Sequence, residues 1–196
     1  MKKLIRVSML AYLMLTLSFS LVAQKKTKKV QKFSISKVID LPAEKVWEIV
    51  AEDYGRVAHS HPKIMASDYT SNSLKGEKGA RRYCTFNAKG TKKLVEEIES
   101  IDHENMTFVN VVNDAQRFPV VPDLTRATYK VEAIDAYTSK ISFDMQYRTK
   151  PAFMGAMAKG SFKKLIKDYF IAIEHHGKTG ESVTKENFRK IKKKYT

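Results

Sequence analysis

Hydrophobic and polar positions alternate two by two through most of the chain between Phe33 and Arg148, and then change to a helical period. In the stretch 124–134, Ala127, Tyr129, Val131 and Ala133 share one face. In 140–148, Ile141, Phe143, Met145 and Tyr147 share a face opposite Ser142, Asp144, Gln146 and Arg148. That is the signature of half-buried strands. Weaker strands are predicted at 33–39, 64–69, 81–87, 91–101 and 106–113, with turns around Gly76–Gly79, Gly90 and 102–105. The segment 114–123, with Pro119 and Pro122, is predicted to be a loop.

Two helical patterns interrupt this series. After Pro42, with Asp40 placed to help cap, Ala43, Val46, Trp47 and Val50 recur at helical spacing, followed by a weaker turn over 54–59. From Pro151 to about His176, ending at Gly177, Ala158, Phe162, Leu165, Tyr169 and Ile173 form one stripe, with Met154, Met157 and Ser161 beside it. About 25 residues at 1.5 Å each give roughly 38 Å, enough to cross a sheet. Consecutive strands pair antiparallel, and one long helix then lies on the concave face of the sheet. The expected fold is α+β: a curved antiparallel sheet of six to seven strands around a long C-terminal helix, with two short helices after the first strand. Small residues early in the long helix (Gly155, Ala156, Ala158, Gly160, Ser161) are expected to leave space for a pocket.

Charge divides the chain. The net charge is +15 over 196 residues. Five lysines fall within 24–32, and seven basic residues face two acids within 178–196. The segment 33–177 carries 21 basic and 19 acidic residues. The basicity therefore belongs to the ends, which argues against a nucleic-acid-binding domain. Basic ends suit an anionic membrane surface, and Phe188, Ile191 and Tyr195 would give the last segment an apolar side. Residues 1–23, with Lys2, Lys3 and Arg6 before an apolar run from Val7 to Val22, have the pattern of a signal peptide cleaved after Ala23. The expected organisation is a signal peptide at 1–23, a basic linker at 24–32, a domain at 33–177 and a basic tail at 178–196. The protein would be exported, to the periplasm or beyond, and monomeric.

The chemistry is sparse. Cys84 is alone, so no internal disulfide forms, and its place in a strand suggests a buried thiol. The pairs His59/His61 and His175/His176 lack carboxylate or thiol partners at ligand spacing apart from Glu174 beside His175, and adjacent residues on a helix do not face each other, so neither a metal nor a cofactor is expected. No nucleophile elbow, phosphate loop or zinc-protease helix is present. Arg81-Arg82 should send one arginine to each face of its strand, the inner one towards a glutamate on a neighbouring strand or an acidic headgroup.

The segments ISKVIDLPAEKVWEIVAEDYGR, KGARRYCTF, EIESID (Glu97–Asp102), ATYKVEAI and PAFMGAMAKGSFKKLIKDYFIAIEHHG together resemble the SRPBCC superfamily, the START-like or helix-grip proteins. This group includes the birch-pollen-allergen fold and polyketide cyclases/dehydrases. The resemblance covers about 33–177, and its first segment is the most specific. It implies a cavity between sheet and helix for a hydrophobic or amphipathic, lipid-like small molecule. In hormone-receptor relatives, residues at the positions of Glu97 and Tyr129 line that cavity; the receptors' gate loops are not matched, since residues 117–122 read RFPVVP. The candidate ligand-binding residues are Tyr83, Glu97, Phe108, Asn110, Tyr129, Phe143, Met145, Tyr147, Met157, Ser161 and Leu165. Three functions are consistent with this: a carrier, which is preferred; a cyclase- or dehydratase-like enzyme using Glu97, His59 or Tyr129 as acid or base; and an envelope interaction module working through the basic tails.

Overall fold

A computed structural model describes residues 29–195. Strand β1 (Gln31–Ile39) leads into a short helix α1 (Ala43–Trp47), which continues as a π turn (Glu48–Glu52) and a 3-10 segment (Tyr54–Ser60). Six strands follow: β2 (Ala66–Tyr69), β3 (Arg81–Thr85), β4 (Lys93–Asp102), β5 (Thr107–Gln116), β6 (Arg126–Ala133) and β7 (Ser139–Tyr147). The long helix α2 (Met154–Thr179) and the short α3 (Phe188–Lys192) end the chain. The seven strands form one antiparallel sheet in the order β1-β7-β6-β5-β4-β3-β2. This is the helix-grip architecture expected from the alternating pattern, with strand ends displaced by a few residues.

Pro42 starts α1 with φ −54° and ψ 148°, and its carbonyl accepts the Lys45 and Val46 N–H groups at 3.1 and 3.2 Å. Asp40 does not cap this helix; it pairs with Lys178 at 3.1 Å instead. The helical stretch buries Val46, Trp47, Val50, Tyr54 and Val57. A row of aromatic rings lines the inner face of the sheet. Trp47 meets Phe108 edge-on, Phe108 stacks on Tyr129 at 4.6 Å, and Tyr129 meets Phe143 edge-on at 4.8 Å.

Helix α2 does not stop at Gly177. It passes through this glycine to Thr179, and Gly180, at φ +70°, closes it by donating its N–H to the His176 carbonyl at 2.7 Å. Gly177 is needed for contact rather than termination: a Cβ there would overlap Leu41 and crowd Ile49. The expected basic tail is not a loose extension either. Val183, Phe188 and Ile191 are buried against Ile171 and Ala172 on the outer side of α2, with Tyr195 packed beside them. Lys192 pairs with Asp168 at 2.6 Å, and the Val183 N–H donates to the His59 carbonyl at 2.8 Å. The apolar side that a membrane was expected to cover is thus occupied by the domain itself. The signal-peptide pattern and the lysines at 25, 26 and 28 lie outside the described residues.

Candidate functional site: a cavity between sheet and helix

A cavity of about 100 Å³ lies between the inner face of the sheet and the middle of α2. The helix contributes Phe162, Leu165, Ile166 and Tyr169. The strands contribute Arg82, Glu96, Asn110, Tyr129, Phe143 and Met145. The connecting segments add Val57, His61 and Ile64 on one side, and Phe118, Val120 and Thr125 on the other. The small residues at the start of α2 do not make this space. Gly155 is buried against Gln31 and Thr149, while Ala156, Gly160 and Ser161 face outward.

Of the residues the sequence put forward, Asn110, Tyr129, Phe143, Met145 and Leu165 stand on the cavity wall. Six stand elsewhere. Tyr83 lies on the outer face of β3, under the Lys93 ammonium at 4.8 Å. Glu97 is on the outer face of β4, held by Arg81 Nε at 2.6 Å and Asn113 Nδ2 at 3.2 Å. Phe108 is buried between Tyr129 and Trp47, one ring away from the space. Tyr147 is fully buried, packs edge-on against Phe162 at 4.8 Å and donates its hydroxyl to the Gly155 carbonyl at 2.6 Å. Met157 is 77% exposed, and Ser161 is exposed. Both sit one residue, about 100° of helix, away from the inward stripe of 158, 162, 165 and 169.

The inward carboxylate is Glu96. Strand parity places Leu94, Glu96 and Ile98 on the core side, and a register shift between Val95 and Glu96 marks the same point. Glu96 Oε2 accepts from Arg82 Nε at 2.9 Å and from the Cys84 thiol at 3.5 Å; Oε1 accepts from Asn110 Nδ2 at 3.0 Å. Tyr54 donates its hydroxyl to Asn110 Oδ1. Arg82 reaches back to the Tyr54 carbonyl through Nη1 at 2.9 Å, and its guanidinium lies 3.9 Å from the centre of the Tyr54 ring. The ion pair is almost dry, with the side chains 5% and 13% exposed.

Burial sets the protonation states here. Desolvation, then the Arg82 charge, pulls His61 down to about 3, so its ring is neutral at physiological pH. Desolvation pushes the Cys84 thiol and the Tyr54 and Tyr129 phenols well above their ordinary values, and Tyr169 to about 12. His61 packs against Tyr169 with the rings tilted by 36° and their centroids 4.7 Å apart. His59 is remote from the cavity; its Nδ1 lies 3.2 Å from Ser182 Oγ. His175 is held between Tyr195 and Glu181 at 3.1 and 2.9 Å. Among the described residues, no three His, Cys, Asp or Glu side chains gather in a way that would hold a metal ion.

The chain belongs to the polyketide cyclase/dehydrase and lipid transport family, whose sequence profile matches residues 30–171. No curated protein matches the sequence. Solved structures share the fold at low identity. The crystal structure of Ara h 8.0201 superposes with a TM-score of 0.61 at 20% identity, over 76% of this chain and 98% of that one. An uncharacterised protein from Bacillus thuringiensis gives 0.56 at 18%, over 75% and 98%. The di-domain ARO/CYC protein BexL of the BE-7585A biosynthetic pathway gives 0.59 at 18%, over 74% of this chain and 45% of BexL.

Proposed function

We propose that this protein is an exported carrier that holds a hydrophobic or amphipathic, lipid-like small molecule between the sheet and α2. The observation that carries this reading is the mainly apolar cavity, lined by the sheet, α2 and the two connecting segments. Apolar walls with a few buried polar groups are what a small-molecule site requires. The volume matches one ring, or the head of a longer ligand, in the conformation described.

The enzyme reading needs an acid and a base in reach of one substrate. Of the three groups the sequence offered, Glu97 is outside the sheet, His59 faces the C-terminal segment, and Tyr129 alone borders the cavity. Export rests on the pattern of residues 1–23.

The test is native mass spectrometry of protein purified from its own host without detergent. A discrete added mass is expected, absent after extraction with organic solvent. A bare polypeptide mass across preparations would overturn the carrier reading. N-terminal sequencing should begin at Gln24, and an intact Met1 would overturn export.

A further inference from the structure

We propose that the end of the molecule where α2 begins docks on an anionic lipid surface. This goes beyond the carrier reading, since docking does not need a filled cavity.

The strand directions decide what meets at that end. Strands β3 and β5 finish there, β4 and β6 start there, and β7 hands the chain to α2. Three connections therefore come together. Phe86 and Phe118 join the first two, with ring centroids 4.8 Å apart. The Val121 N–H donates to the Arg148 carbonyl at 2.8 Å, and the Lys150 N–H to the Pro119 carbonyl at 3.2 Å, which joins the second to the third. Residues 86–93, 116–122 and 147–158 hold Lys89, Lys92, Lys93, Arg117, Arg148 and Lys150 and no acid, although Asp114 and Asp123 flank them. None of these six forms an ion pair among the described residues. Cations at the opposite end are paired: Lys45 with Glu48, Lys140 with Glu132 and Lys178 with Asp40. Arg148 Nη1 also donates to the Lys29 carbonyl at 2.8 Å, so the lysine-rich stretch before β1 joins the domain here.

An apolar tip stands among these cations. Phe153, Met154 and Met157 are 76, 38 and 77% exposed. Phe153 and Met157 are four positions apart at the start of α2, so they share one face, with Met154 beside them. Among the large apolar side chains described, only Tyr137 is more exposed. Apolar tips ringed by unpaired cations match the boundary of an anionic bilayer: the tips enter the acyl region, and the cations reach headgroup phosphates. A second copy of the chain fits less well. A two-fold contact sets a patch against itself, and the cations would then face their own copies. Phe86, Phe118 and Val120 belong to the same connections and also line the cavity, so docking would set the lipid beside the ligand space.

Co-sedimentation with vesicles tests this, using protein purified from its host. Vesicles of phosphatidylglycerol and phosphatidylethanolamine should bind it at least about tenfold more tightly than phosphatidylcholine vesicles, and added salt should remove most of that difference. Phe153→Ser with Met157→Ser changes only exposed side chains, so an unchanged urea midpoint should accompany a fall in binding of about tenfold or more. Lys89→Glu with Lys150→Glu should lower binding at least about twentyfold. Arg189→Glu with Lys190→Glu, exposed on α3 far from this end, should change it less than about threefold. Equal binding to both kinds of vesicle would overturn the proposal. So would loss of binding in the α3 variant while both variants at the α2 end keep it. A dimer seen by sedimentation without lipid, and lost in the serine variant, would give the patch to a second copy and overturn the lipid assignment. A bare polypeptide mass in the native spectrum would overturn the carrier reading and leave this docking in place.

Discussion

Two rungs of the β3–β4 ladder carry the same pair of residues and do opposite things. Arg81 pairs with Glu97 and Arg82 with Glu96, one register step apart on opposite faces of the sheet. The outer arginine is 52% exposed; the inner ion pair is buried and braced by Asn110, Tyr54 and Cys84. Identical side chains thus form a solvated surface contact on one face and a fixed polar floor beneath an apolar cavity on the other. The lesson is that desolvation, not residue identity, decides what an ion pair does. Outside, water competes with the partner and little is gained. Inside, the pair holds geometry, and breaking it leaves an unpaired charge.

The largest effect should come from breaking the inner rung. Arg82→Met strands Glu96 and is expected to cost about 3–5 kcal/mol of unfolding free energy, measured by urea denaturation. Adding Glu96→Gln should recover much of that loss, and a double variant as unstable as the single one would contradict the account. Next comes pH. The His61 value in the folded state lies near 3, below its ordinary 6.5, so the unfolded chain takes up the proton first. Stability should therefore fall as pH drops from about 6.5 towards 3, by roughly 1 kcal/mol per pH unit from this residue. His61→Phe should flatten that part of the profile. Tyr54→Phe, which removes one buried hydrogen bond to Asn110, should cost about 1–2 kcal/mol. The smallest effect belongs to the outer rung: Arg81→Ala is expected to cost less than about 1 kcal/mol, and less still in high salt. An outer variant as damaging as the inner one would remove the distinction.

The same two rungs show how far the sequence could be read. Strands β6 and β7 were legible because their alternation is clean, and the α2 stripe from Ala158 to Ile173 because its period is regular. Strand β4 is not clean. Glu96 and Glu97 are adjacent, and both are charged, so hydropathy alone does not say which one faces in. The parity of Leu94 and Ile98 does, and it points to Glu96; the resemblance to hormone receptors pointed one residue further on. Parity with Cys84 likewise puts Arg82 inside. Met157 and Ser161 were misplaced because a helix turns by 100° per residue and the stripe is narrow. His61, Phe118 and Val120 carried no periodic signal, since they come from connecting segments whose place depends on the whole fold. Gly177 looked like a stop because glycine so often ends helices. What it actually permits is the approach of Leu41, a contact that no local pattern records.

The strand order has a consequence in time. The first strand lies beside the last, with Phe33 opposite Met145 and Ile39 opposite Ser139. Partners across that seam lie 100 to 116 positions apart in sequence. As the chain emerges during synthesis, β1 waits without its neighbour until β7 has been made, so no N-terminal fragment contains a complete grip. Such distant pairing gives a high contact order and places folding towards the slow end, milliseconds to seconds, of single-domain proteins.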